Sequence, residues 1–323
     1  FGSKHVQSAQ PQMGRLSKDK RDVYYREAKR EGFRARSAFK LIQIDRTIGL
    51  LNGVRNVADL CAAPGGWSQV LAQRLLPSSA EEGQASTSAS AAAGMQPPRA
   101  RIVAVDKFEM EPIEGVIQVQ GDITHAATAE AVLSHFAGER ADLVVCDGAP
   151  DVTFRVDFDE YVQHQLLLSE LALAVALLRP GGAFLAKVFR GEHIGELYGE
   201  LQRHFREVIC CKPRASRNSS QEVFVACRDF APVPGLSVRM EGFHESCGSA
   251  AAGSCRNVRF VACGGPDDPD ADRNYPVDEG HTVLRPVAPP IAAPYREALE
   301  ERRGGLKRPA TLEPAASSKE PAV

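Results

Sequence analysis

Seven short apolar runs, spaced along the middle of the chain, limit what it can fold into more than any other feature. They are Val54–Leu60, Ile102–Val105, Val116–Val119, Leu143–Cys146, Ala183–Phe189, Val208–Cys211 and Val223–Cys227. Between several of them lie amphipathic stretches of helical period, at Gly66–Leu76, Ala127–Phe136, Tyr161–Leu178 and Glu196–Phe205. A run apolar at every position suits a strand buried on both faces. Strands alternating with helices then predict an α/β fold, a doubly wound, mostly parallel, seven-stranded sheet of the Rossmann-like type. Arg179-Pro180-Gly181-Gly182 reads as a helix stop and a turn into the next strand. Upstream, Asp19–Ile48 reads as helical.

The pattern also sets boundaries. Residues 1–13 read as an extension, and 14–230 as one catalytic-sized domain. Residues 77–100, rich in Ser and Ala, read as a surface insertion. Residues 231–323 turn rich in Pro and Gly, which predicts an extended, partly disordered tail. No stretch approaches the roughly 18 apolar residues of a membrane span. Residues 1–25 lack the apolar core of a secretory signal, so no membrane association and a cytoplasmic location are expected.

The net charge of −2 conceals an uneven distribution. Residues 1–40 hold eleven Lys/Arg against four acids, a net +7, which leaves −9 for the rest. Such an arm predicts a polyanionic partner, nucleic acid first. Lys18, Lys20, Arg21, Arg26, Arg34 and Arg36 are its candidate phosphate contacts, with Lys212, Arg214 and Arg217 farther along. Tyr24, Tyr25 and Phe33 are candidates for stacking on splayed bases, or for packing the arm on the body.

The eight cysteines form no C-x-x-C pair, and Cys61, Cys146 and Cys227 lie in apolar surroundings. Reduced thiols are expected. The wide spacing of Cys247, Cys255 and Cys263 near His244 does not suit zinc, so no metal is expected.

The sharpest local signal is Asp59-Leu60-Cys61-Ala62-Ala63-Pro64-Gly65-Gly66-Trp67, at the end of the first strand and opening a helix. Small residues there let a ligand approach backbone N–H groups. Asp106 ends the second strand, and Asp122, beside Ile123, follows the third. Successive strand-end acids favour a nucleoside ligand, whose ribose hydroxyls and adenine amine they can accept. The G-x-G-x-x-G fingerprint of a diphosphate cradle is absent. Acids also suit a cationic sulfonium, so S-adenosylmethionine is preferred to a nicotinamide dinucleotide. Asp147 ends the fourth strand, and Lys187 interrupts the apolar fifth, an expensive position unless it has a partner.

Arg36-Ser37-Ala38-Phe39-Lys40-Leu41, the Asp59–Trp67 loop, Asp147-Gly148-Ala149-Pro150, Arg179-Pro180-Gly181-Gly182 and Ala186-Lys187-Val188-Phe189-Arg190 occur in that order. Together they resemble the FtsJ family of RNA ribose 2′-O-methyltransferases, over about Gly14 to Arg228. Gln120–Thr124, Asp147–Thr153, Lys212–Ser220 and tail segments such as Phe260–Gly264 and Asp272–Pro276 are similar to its eukaryotic cytoplasmic tRNA anticodon-loop enzymes. The resemblance implies Lys40, Asp147, Lys187 and Glu222 as the catalytic set. It also implies tRNA as substrate, methylated on the first anticodon-loop nucleotide and the wobble nucleotide. Auxiliary partners, one a WD-repeat protein, and a monomeric catalytic subunit are further implications. Phe154 stands where relatives usually have Gly. A ribosomal RNA enzyme and a catalytically silent RNA-binding scaffold are the competing expectations.

Overall fold

The computed structural model describes residues 21–76, 100–149, 156–191, 194–233, 257–277 and 280–288. Residues 1–20, including Lys18 and Lys20, lie outside them. So do residues 77–99, Phe154, His244, Cys247, Cys255 and the last 35 residues.

Among the described residues the helical region upstream of the sheet is broken into Val23–Glu31 and Ala38–Ile48 rather than continuous. α1 (Val23–Glu31) begins where the Asp22 side chain accepts from the Tyr25 N–H at 3.0 Å. It stops at Gly32, whose φ of +81° takes the backbone into the left-handed region that glycine tolerates. α2 (Ala38–Ile48) follows after a short irregular link.

The remaining elements alternate. β1 (Asn56–Leu60), α3 (Gly66–Leu75), β2 (Arg101–Asp106), β3 (Val116–Gln120), α4 (Ala126–Ser134), β4 (Ala141–Cys146) and α5 (Val156–Leu177) come first. β5 (Leu178–Phe189), α6 (Ile194–His204), β6 (Phe205–Pro213), β7 (Glu222–Phe230) and β8 (Arg259–Cys263) complete the elements of the described residues. The sheet order is β3-β2-β1-β4-β5-β7-β6-β8. Strands β1 to β5 pair in parallel, while β7 lies antiparallel between β5 and β6.

The apolar runs are explained by two cores, one on each face. Along β4, Val144 and Cys146 enter one core and Leu143 and Val145 the other. In β5, Phe184, Ala186 and Val188 face one side and Leu185 the opposite side. Successive side chains point to opposite faces, so only a run apolar at every position satisfies both. Truncating one of these fully buried chains, such as Leu143→Ala, costs about 2–5 kcal/mol.

Two details differ from the sequence expectation. Arg179-Pro180-Gly181-Gly182 forms an irregularity within β5 rather than a turn before it. Ala141 faces Leu178 whereas Leu143 faces Ala183, so four residues bulge opposite Asp142. Asp142 ties that bulge down, accepting from Arg179 Nε at 2.5 Å and from the Arg55 and Asn56 N–H groups at 2.8 Å. Second, the sheet has eight strands, not seven. The extra one, β8, comes from the tail and pairs in parallel with β6. It is largely exposed except at Cys263, and so shows no apolar run.

The described tail then folds back over the arm. The Tyr24 hydroxyl donates to the Pro269 carbonyl at 2.6 Å and Lys29 Nζ to the Leu284 carbonyl at 3.2 Å. Arg46 pairs with Asp268 at 3.2 Å, and the Asn218 N–H donates to Asp272 at 2.7 Å. Among the described residues no helix is long and apolar enough to cross a membrane.

Candidate active site

The site lies at the carboxyl ends of the parallel strands, where β1 separates β2 and β3 from β4 and β5. Past β1, Cys61 has φ +53° and the Ala63–Pro64 peptide is cis. The Ala62 N–H donates to the Val105 carbonyl at 3.0 Å, and the Gly65 N–H to the Ala62 carbonyl at 2.7 Å. Gly65, at φ +107°, caps α3, and a Cβ on it would stand 2.7 Å from Ile113 Cδ1.

The strand-end acids divide by burial. Asp59 is 1% exposed and accepts from the Ser68 hydroxyl at 2.5 Å, so it braces α3 from beneath the loop. Burial pushes its carboxyl up to about 7. Asp106 is also buried, accepting from the Ala63 N–H and the Phe108 N–H at 2.8 Å each, and thus shapes the loop. Each of its oxygens keeps a lone pair for a ligand hydroxyl. Asp122 faces solvent, its carboxyl held below the ordinary value by the Thr124 N–H and hydroxyl. Ile123 beside it is buried. Trp67 is buried too, and its Nε1 donates to the Ser37 carbonyl at 2.9 Å, joining α2 to α3. Asp106, Asp122, Asp147 and a tight loop of small residues fit a nucleoside carrying positive charge. Asp59 and Trp67 support that wall from behind.

Next to this wall four charged side chains from four elements converge. Lys40 Nζ of α2 lies 2.7 Å from Glu222 Oε2, at the start of β7, and 4.0 Å from Asp147 Oδ1. Lys187 Nζ of β5 lies 3.3 Å from Asp147 Oδ1 and donates to the Asp147 carbonyl at 2.8 Å. Register explains part of this meeting: Lys187 faces Phe224 and Phe189 faces Glu222 across the β5–β7 pair. Burial acts to depress the Lys187 ammonium, but the Asp147 and Glu222 carboxylates outweigh it, and the net shift is upward. Burial likewise acts to raise the Glu222 carboxyl, yet Lys40, Ser216 and Lys187 hold it below its ordinary value. The set is two ammoniums against two carboxylates, each stabilising the other's charged form.

Sequence reasoning missed the supports of this set. The Ser216 hydroxyl donates to Glu222 Oε1 at 2.6 Å, and Lys212 Nζ donates to the Glu222 carbonyl at 2.6 Å. Gln163, also buried, donates to the Lys187 carbonyl at 3.1 Å. Ser216 lies in the Lys212–Ser220 segment, but an isolated serine carries no signal of its partner.

The candidate phosphate contacts are placed unevenly. Arg34 donates to the carbonyls of Pro64, Glu111 and Pro112 at 3.2, 2.6 and 2.7 Å, clamping the loop after β1 to the loop after β2. Arg36 pairs with Asp22 and the Ala215 carbonyl. Lys212 also donates to the Ser220 carbonyl at 2.9 Å, and Arg214 to the carbonyls of Gly265 and Pro266 at 2.9 and 3.1 Å. The donors of these four are thus turned into the protein. Arg217 is half exposed, 3.8 Å from Asp22. Arg21 precedes α1, and Arg26 lines a cavity of about 280 Å³ with Lys29, Arg30 and His281. Tyr24 and Phe33 are buried against Phe39, ring centroids 5.3 and 5.8 Å away, and pack the arm rather than face solvent.

Residues 33–230 match the model of the FtsJ-like methyltransferases. The chain belongs to that family. A Homo sapiens tRNA (cytidine(32)/guanosine(34)-2′-O)-methyltransferase is 48% identical over 303 residues, 91% of this chain and 86% of that protein. A Pongo abelii pre-rRNA 2′-O-ribose RNA methyltransferase is 39% identical over 217 residues, 67% of this chain and 23% of that protein. A crystal structure described as a Plasmodium falciparum ribosomal RNA methyltransferase superposes with a TM-score of 0.50 at 21% identity, covering 61% of this chain and 98% of that one. For this FtsJ-like chain the last likeness concerns fold alone.

Proposed function

We propose that the protein transfers a methyl group from S-adenosylmethionine to ribose 2′-hydroxyls in the tRNA anticodon loop, at nucleotides 32 and 34. The meeting of Lys40, Asp147, Lys187 and Glu222 beside a wall of strand-end acids and small residues carries this reading. S-adenosylmethionine supplies, when bound, a methyl carbon activated by its sulfonium. Asp106 and Asp122 would accept from the nucleoside, with Ala62, Pro64, Gly65 and Gly66 lining its approach.

The remaining work is to hold the attacking oxygen in line and take its proton. Lys187 stays an ammonium, so it donates to the 2′-oxygen and steers a lone pair rather than acting as base. Asp147 Oδ1, buried and 3.3 Å from Lys187 Nζ, is the carboxylate oxygen placed to receive the hydroxyl proton. Lys40 and Glu222 keep this pair in register.

The tRNA reading is favoured over ribosomal RNA by the reach of the likeness. The match to the tRNA enzyme covers 91% of the chain, and that to the pre-rRNA enzyme 67%. The basic surface of Arg21, Arg26, Arg30 and Arg217 would contact phosphates. Auxiliary proteins, one of WD-repeat type, would choose the nucleotide for a monomeric, cytoplasmic catalytic subunit.

The test is methylation of tRNA from cells lacking the protein, with ribose-methyl mapping. Methylation at 32 or 34 is expected on adding the protein, its auxiliary partners and S-adenosylmethionine. Lys187→Ala should lower the rate about 10²–10⁴-fold while cofactor binding persists. Methyl groups only on ribosomal RNA, or a Lys187→Ala protein of normal rate, would refute the proposal.

A further inference from the structure

Three residues far apart in sequence meet beneath the loop after β1. Cys61 follows that strand, Cys146 ends β4, and Glu170 lies within α5. One sulfur or carboxylate oxygen from each falls within 4.8 Å of the other two. Cys146 and Glu170 are fully buried, while Cys61 is partly exposed. Neither oxygen of Glu170 has a hydrogen-bond partner among the described residues. The backbone presses close: a Cβ on Gly148 would stand 2.5 Å from Glu170 Oε1, 3.1 Å from Cys61 Sγ and 3.2 Å from Cys146 Sγ.

A buried carboxyl without a partner is costly and calls for an explanation. Burial pushes Glu170 up to about 8, and burial with the neighbouring Cys61 and Glu170 pushes the Cys146 thiol well above its ordinary value. A cation that binds such ligands displaces their protons.

We propose that Cys61, Cys146 and Glu170 form a site for a soft divalent cation of the zinc class. Two thiolates and one carboxylate are a donor set for zinc, whereas magnesium and calcium favour oxygen alone. Zinc–ligand distances of about 2.0–2.3 Å put tetrahedral ligand atoms some 3.5 Å apart, so this cluster, within 4.8 Å, draws in by up to about 1.3 Å on binding. Three protein ligands leave a fourth position, and partly exposed Cys61 marks the route of entry. Binding forms two Zn–S bonds and one Zn–O bond and releases up to three protons. The ion would tie together β4, α5 and the loop after β1, and so stiffen the wall of the site. The inference does not depend on the proposed methyl transfer.

The search for cysteine metal sites in sequence looks for close pairs, and this cluster has none. Its ligands are 85 and 24 residues apart and become neighbours only because β4 pairs with β1 and α5 packs against β4.

The full chain, stripped with chelator under reducing conditions, is titrated with Zn²⁺ against a chromophoric chelator and with Co²⁺ by absorbance. One equivalent is expected to bind, with thiolate-to-cobalt charge transfer in the near ultraviolet and release of protons. Glu170→Gln, nearly isosteric, and Cys146→Ser should each weaken binding beyond the roughly 10–100-fold that outer-shell changes cost. Zn²⁺ should raise the melting temperature of the wild type and not of Glu170→Gln. Absence of the charge-transfer band, or wild-type affinity in Glu170→Gln, overturns the proposal; the second result would move the metal to other cysteines.

Discussion

The Lys187 ammonium is buried at the end of a strand and remains charged because Asp147 and Glu222 face it. That charge state yields a prediction about rate. Were neutral Lys187 the base, kcat would climb about tenfold per pH unit between roughly 7 and 10. With Lys187 steering as an ammonium, kcat should stay nearly flat there, measured in single turnovers with saturating tRNA. Gly148 gives a second residue-scale prediction. Its missing side chain leaves no room, since a Cβ would meet Glu170 Oε1 at 2.5 Å. Gly148→Ala should destabilise by about 1–3 kcal/mol, read from denaturant midpoints. Glu170 itself predicts a pH effect in chelated protein. Its folded value of about 8 exceeds the ordinary 4.5, so folding favours the protonated form. Its contribution to stability is complete below about pH 4.5 and is lost as pH rises towards 8, because the unfolded chain ionises first. Glu170→Gln should remove that fall, seen as a wild-type-minus-variant difference that shrinks with pH. The charged set was legible in the sequence through motif order. Its supports, Ser216 and Gln163, were not, because single residues without spacing carry no sign of the partner the fold brings to them.

At the scale of elements, strands were more legible than helix ends or charged surfaces. Two-sided burial leaves an unmistakable trace in β1, β2, β4 and β5, whereas exposed β8 leaves almost none. The basic arm was legible as charge but not as contact. Net charge counts Arg34, Arg36 and Arg214 equally with Arg30, although the first three have donors bonded to backbone carbonyls and Arg30, paired within α1 to Glu27, is 69% exposed. α1 is therefore the element on which RNA affinity should depend. Reversing Arg26 and Arg30 to Glu should weaken tRNA binding and make its salt slope shallower by about 0.7 for each lost phosphate contact. Arg214→Ala should mainly loosen the tail, with little change in that slope. Filter binding across a salt series separates the two.

Across the whole molecule, the alternation of strands and helices was legible as an α/β sheet, but the part played by the tail was not. Composition describes residues 257–288 as poor in apolar runs, yet they contribute an eighth strand and a belt of polar ties. These ties use carbonyls and carboxylates, which hydrophobic periodicity cannot register. β8 covers the β6 edge and sets Cys263 into the core beneath α2. The Tyr24 hydroxyl, accepting from Gln43 at 2.9 Å and donating to Pro269, links the arm, α2 and the tail. Ending the chain after Phe230 should thus expose an unpaired β6 edge and leave that buried hydroxyl without its acceptor. The truncated protein should melt at lower temperature and aggregate more readily, and its arm amides should lose protection in hydrogen exchange. Tyr24→Phe in the full chain should cost only about 1 kcal/mol, since it removes one hydroxyl while β8 stays paired. A truncated protein with the melting temperature and arm protection of the full chain would show that the tail stabilises nothing. Its strand and polar ties would then matter only where another molecule joins them.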